Sequence, residues 1–256
     1  MDLNCNSQDR VFRRRFPVPV LAAWLLLVTV SLLPGQERYL TSGHPDALVL
    51  LPAPPAPGSA EEAADLASAR AVFLGRSPAE EARAFKDATL AFSLYGPAIG
   101  PVFDLTKLPK TKALLEKMKL DIGEAVDGPK RHWKRQRPYE MDPALALGKP
   151  ERNYGYPSGH STRGTVYAMI LAELFPEKRE AILSIGRDIG WDRVVIGKHF
   201  PTDIYAGRVL GKAIVRELLA SLAFQRDLAD AKAEVLAAQD GSVRTQAPSP
   251  AEALAR

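Results

Sequence analysis

Between residues 110 and 220, apolar side chains return every three or four positions, the period of one face of a helix. Leu114, Leu115, Met118 and Ile122 mark one such face, and Val166, Met169, Ile170 and Leu174 mark another that stops at Pro176. Ile182, Ile185 and Ile189 mark the next, ending near Gly197. Leu210, Ile214 and Leu218 mark a further one, opened by Pro201. On it Gly207 and Gly211 lie four apart, which suits the close approach of a neighbouring helix. Upstream, Ser59-Ala-Glu-Glu and Ser77-Pro78-Ala-Glu80 read as helix openings, with serine as the cap and acids in the first turn. No stretch alternates apolar and polar residues for long, and no Asn-Gly hairpin turn occurs. The pattern predicts an all-α fold, a single-domain helical bundle.

The flanks break the pattern. "RVFRRRF" followed by the uncharged, Leu/Val-rich run from Val18 to Leu33 reads as a secretory signal over residues 1–36, with an uncleaved membrane anchor as the alternative. Periplasmic or secreted placement is therefore expected. Residues 37–59 form a Pro-rich lead-in, residues 60–237 the helical domain, and residues 238–256 a polar, Pro-broken tail expected to be disordered. Of the formal net charge of +4, half lies in the leader, where four arginines face two aspartates. The remainder is only weakly basic, and no nucleic acid is expected as a partner. The sole cysteine, Cys5, falls in the leader, so the rest of the chain has neither a disulfide nor a thiolate metal site.

Three polar clusters interrupt the helical segments. "KRHWKRQRPYE" carries Lys130, Lys134 and arginines around Arg137-Pro138; alone it reads as a solvated basic loop. Pro157-Ser158-Gly159-His160 opens a helix and is either a plain turn and cap or an anion seat. In "DRVVIGKHFPTDIYAGR", Arg193 precedes His199, and Asp203 follows four positions later, so the carboxylate can turn back to the imidazole. Taken together they supply cations, bare amides at a helix start, and two histidines of which one has a carboxylate partner. Those parts suit binding a tetrahedral oxyanion and attacking it. The histidines lack a supporting cluster of acids with ligand spacing, so no metal or other cofactor is expected.

The order and gaps of Lys130, Arg137-Pro138, Pro157-Ser158-Gly159-His160, Arg193, His199 and Asp203 resemble the three-part signature of the type 2 phosphatidic acid phosphatase (PAP2) superfamily. That group includes class A non-specific acid phosphatases, lipid phosphatases and vanadium haloperoxidases. The likeness to class A acid phosphatases extends over nearly the whole chain beyond the leader. It implies the helical fold of that superfamily and a metal-independent acid phosphatase of phosphomonoesters, with inorganic phosphate or vanadate as active-site ligands. It further implies that Lys130, Arg137, Ser158, Gly159 and Arg193 bind phosphate, that His199 is the nucleophile polarised by Asp203, and that His160 is the general acid and then base. A tethered lipid phosphate phosphatase, a vanadate-dependent haloperoxidase and a non-catalytic anion-binding protein are the alternatives, and a homodimer is left open by analogy. One departure stands out: Asp192 occupies the place where the family usually has Ser, putting a carboxylate beside a phosphate-binding arginine. The role of Lys198, next to the nucleophile, is equally open.

Overall fold

The computed structural model describes residues 38–246, with side chains to residue 241; the leader reading lies outside the described residues. The described elements are α and 3₁₀ helices: α1 (Ala47–Leu50), α2 (Ala60–Gly75), α3 (Pro78–Asp87), α4 (Gly96–Ile99), α5 (Pro109–Trp133), α6 (Pro138–Met141), α7 (Gly159–Leu174), α8 (Arg179–Val195), α9 (Pro201–Ala220) and α10 (Leu222–Gln246). The two serine openings behave as read. Ser59 accepts from the Glu62 amide, and Ser77 with Glu80 closes a reciprocal capping box. The last helix differs from expectation, since it runs through residues 238–246 instead of ending in a tail. Its inner face, Phe224, Leu228, Ala231 and Val235, is buried, and extending a helix already anchored adds a hydrogen bond for each residue fixed.

Helix α7 is the centre of the bundle, packed mainly between α8 and α9, with α5 also against it. Glycines set how near its neighbours come. A Cβ on Gly186 of α8 would stand 2.5 Å from the Ala168 Cβ and 2.6 Å from the Gly164 carbonyl oxygen of α7. On α9, a Cβ on Gly207 would meet the Ser158 carbonyl at 2.7 Å, and one on Gly211 the Thr165 Cβ at 2.8 Å. The spacing of Gly207 and Gly211 thus translates into close contact between the helices that open on His160 and just beyond His199. The core runs through Leu114, Met118, Ile122, Val166, Ile170, Ile189, Leu210 and Ile214, each worth about 1.5–3 kcal/mol on burial. At the site end, the Pro-rich lead-in is fastened by the Tyr156 hydroxyl, which donates to the Pro52 carbonyl at 2.7 Å.

Candidate active site

Helix α5 ends in a backbone device. Lys134 takes a left-handed conformation, φ 49°, and its amide bonds back to Lys130. The chain reverses there, and Lys130, Arg135 and Arg137 are buried while Arg131, His132 and Lys134 stay exposed. The basic stretch is therefore only partly the solvated loop that its composition suggests. A second turn delivers His199: Gly197, φ 69°, has no room for a Cβ against the Leu145 carbonyl oxygen. Pro201 then starts α9, which brings Asp203 round to His199.

The predicted residues converge. Asp203 accepts from the His199 Nδ1 at 3.0 Å and from the Phe200 amide at 3.0 Å. A carboxylate can only accept from that nitrogen and a guanidinium can only donate, so Nδ1 carries the proton and Nε2 the lone pair. Arg137 Nη1 faces that Nε2 at 3.2 Å. The remaining donors of Arg137 go to the carbonyls of Lys198, Asn153 and Tyr154 and to the Asn153 amide oxygen. Lys130 Nζ donates to the Tyr154 carbonyl, which Arg137 shares. Ser158 caps α7 through the Ser161 amide at 3.3 Å, and its own amide donates to the Asp203 carbonyl at 3.0 Å. A Cβ on Gly159 would stand 2.9 Å from Arg163 Nη1 and 4.0 Å from the Lys130 side chain, so the turn is packed against cations. Arg193, also buried, pairs with Glu151.

Electrostatics separates these groups from their solution behaviour. Burial pushes the His199 imidazole well below its ordinary value, and Arg137, Lys130 and Arg193 push it further, so the ring is neutral. His160 is lowered to about 3, by burial first and then by Arg193, against a hydrogen bond from its Nε2 to the Ala88 carbonyl at 3.2 Å. Burial lowers Lys130 to about 7, with Arg137 adding repulsion. The site is thus a largely buried, cationic cradle that holds two neutral imidazoles. Among the described residues, no group of three or more His, Cys, Asp and Glu is gathered as a metal-binding set.

Residues 121–227, which contain every one of these groups, match the PAP2 superfamily. Over 222 residues the chain is 30% identical to the acid phosphatase of Zymomonas mobilis subsp. mobilis, covering 83% of this chain and 82% of that protein. The chain belongs to the PAP2 superfamily, among its class A acid phosphatases. It is also 32% identical over 199 residues to the non-specific acid phosphatase of Providencia stuartii, covering 74% and 80% of the two chains. With the Salmonella typhimurium non-specific acid phosphatase it shares 30% identity over 150 residues, 56% and 59% of the two.

Five residues around this site, Arg135, Asp65, Arg83, Asp87 and Glu151, are not named individually in the sequence reading. Arg135 and Asp65 are joined behind Asp203, at distances given below. Arg83 of α3 grips Asp192 with two bonds, 2.9 and 2.8 Å. That carboxylate is engaged by its own arginine instead of competing at the cradle. Beside it, burial and Asp192 push Asp87 up to about 7. Glu151, on the segment before the Ser-Gly turn, supplies the partner of Arg193. Lys198 is not solvated either: it donates to the Lys149 carbonyl at 2.9 Å and tethers that same segment.

Proposed function

We propose that this chain hydrolyses phosphomonoesters without a metal ion, passing the phosphoryl group through a covalent intermediate on His199. The observation that carries this reading is the line Asp203–His199–Arg137. A buried carboxylate fixes the ring, and the lone pair of Nε2 emerges beside a guanidinium that can hold the oxygens of the group under attack. Substrate oxygens take over donors now held by Glu151 and the carbonyls of residues 153–155. The bound dianion first draws a proton from solvent onto Nδ1 of His160. Nε2 of His199 then attacks phosphorus while the ester P–O bond breaks, and the leaving alkoxide takes that Nδ1 proton, returning His160 to its neutral form. The Ala88 carbonyl keeps the proton on Nε2 of His160, which leaves Nδ1 as the nitrogen that exchanges protons with substrate and water. In the second half-reaction His160 accepts a proton from water, water oxygen bonds to phosphorus, and the P–N bond breaks to release phosphate. Inorganic phosphate and vanadate fit the same cradle as inhibitors. The basic-then-apolar leader supports delivery to the periplasm or the exterior.

The test is to quench the protein during turnover of p-nitrophenyl phosphate and map the phosphorylated residue by mass spectrometry. Phosphate on His199, activity abolished in His199→Ala and activity unchanged by EDTA are the expected results. Turnover by His199→Ala would defeat the nucleophile, and loss of activity in EDTA would defeat metal independence.

A further inference from the structure

Behind His199 lies a row of charges that begins on a helix contributing no residue of the signature. Asp65 of α2, Arg135 and Asp203 are all buried. Arg135 Nη2 donates to Asp65 at 2.7 Å, and Nη1 donates to the second carboxylate oxygen of Asp203 at 2.6 Å and to the Thr202 hydroxyl at 2.7 Å. Asp65 also accepts from the Thr202 amide at 3.3 Å and from the Thr202 hydroxyl, so it caps the start of α9. The guanidinium of Arg135 lies 4.1 Å from the centre of the Phe200 ring, which fixes its plane. Its own carbonyl receives the Gly155 amide at 2.9 Å, tying the same residue to the segment before the Ser-Gly turn.

The geometry points to Arg135 and Asp65 as positioning residues for the nucleophile, forming with Asp203 and His199 a row of alternating charge that holds Asp203 ionised. This rests on the reading of His199 as nucleophile. When Nε2 bonds to phosphorus, the imidazole becomes cationic while keeping Nδ1–H, and the carboxylate behind it must be negative to offset that charge. Burial drives the Asp203 carboxyl toward the neutral form; Arg135 and the Phe200 amide oppose it. Lys130, Arg137 and Tyr156 face Asp203 from the cradle side, and Asp65 from α2 repels it. Without Arg135, two buried carboxylates share one region with no cation between them, and one takes a proton.

The experiment is a mutant cycle of Arg135→Met, Asp65→Asn and the double variant, with Arg135→Lys as the variant that keeps the charge. Phosphoryl transfer from p-nitrophenyl phosphate is followed against pH. The free proteins, labelled with ¹⁵N-histidine, are read by NMR for the His199 tautomer. Arg135→Met is expected to slow transfer by roughly 10- to 100-fold and to move the acid limb of kcat/KM to higher pH. Its His199 is expected to lose the pure Nδ1–H tautomer. Removing Asp65 as well takes away the like charge and should bring the limb part of the way back, so the double variant is less impaired than the two losses multiplied. Arg135→Lys should fall between wild type and Arg135→Met; if Arg135→Met does not fold, Lys and Asp65→Asn carry the comparison. An unshifted profile and tautomer in a folded Arg135→Met, or losses that simply multiply in the double variant, would overturn the proposal. A wild type that binds phosphate but turns nothing over would defeat the hydrolase reading, while the tautomer still decides the role of Arg135.

Discussion

At His199 the ring is backed by Asp203, a carboxylate that brings charge and is itself anchored through Arg135 to Asp65. At His160 the ring is backed by the Ala88 carbonyl at the end of α3, a dipole with no charge to give. The first support fixes the proton on Nδ1 and can offset a cation on the ring. The second fixes a proton on Nε2 and leaves the charge state of the ring to whatever enters the site. Two identical side chains are thus set to opposite tasks by the acceptor behind each. In the proposed mechanism the nucleophile needs a permanent counter-charge, and the proton donor needs to be free to gain and lose one.

The comparison breaks most severely if the permanent charge is taken from His199. Asp203→Asn keeps the size of the side chain but offers an amide that can pair with a bare Nδ1, moving the proton to Nε2 and blocking attack. A loss of roughly 10³- to 10⁴-fold in the rate of phosphoryl transfer is expected, read from the burst of p-nitrophenolate. A loss within about tenfold would mean that the carboxylate does not decide the tautomer.

A smaller and selective effect is expected at the other histidine. His160→Ala should slow hydrolysis of an alkyl phosphate such as glycerol phosphate by roughly 10²- to 10⁴-fold, because an alkoxide leaves poorly without a proton. On p-nitrophenyl phosphate the loss should be much less, since that leaving group departs as a stable anion. Equal losses on both substrates would assign the proton to another group.

The residues that form the cationic cradle were readable because their order and spacing are fixed along 74 positions, from Lys130 to Asp203. The helices that carry them were readable because each buries one face in a period near 3.6. Their supports were not. Asp65 acts on Thr202 and Arg135, more than a hundred positions away from the first and seventy from the second, and lies in the second turn of α2 as one acid among several. Arg135 is one cation among several in a stretch where composition says solvent; only the left-handed turn at Lys134 decides which of them go inward. The hazard seen in Asp192 disappears for the same reason, since its partner Arg83 lies 109 positions earlier. Residues 238–246 were read by polarity, whereas the buried face of α10 just before them decides their conformation.

The subtlest difference between the histidines should appear as protons exchanged on anion binding. In the free protein His160 is depressed to about 3 and Lys130 to about 7, in both cases by burial first and then by neighbouring cations. A bound dianion supplies the missing negative charge and raises both values. Binding then takes up protons, and by linkage the affinity grows as pH falls through the interval between the free and bound values. At about pH 5 Lys130 is already protonated, so uptake there reports His160; at about pH 8 Lys130 adds its share. His199 should contribute little, because Asp203 already holds its tautomer and the cations that depress it remain. Calorimetry with sulfate, which does not titrate in this range, in buffers of different ionisation enthalpy gives the proton count directly. Uptake approaching about one proton per site at the lower pH, lost in His160→Gln, is the expected result. Uptake that survives in His160→Gln would place the mobile proton elsewhere and erase the contrast between the two rings.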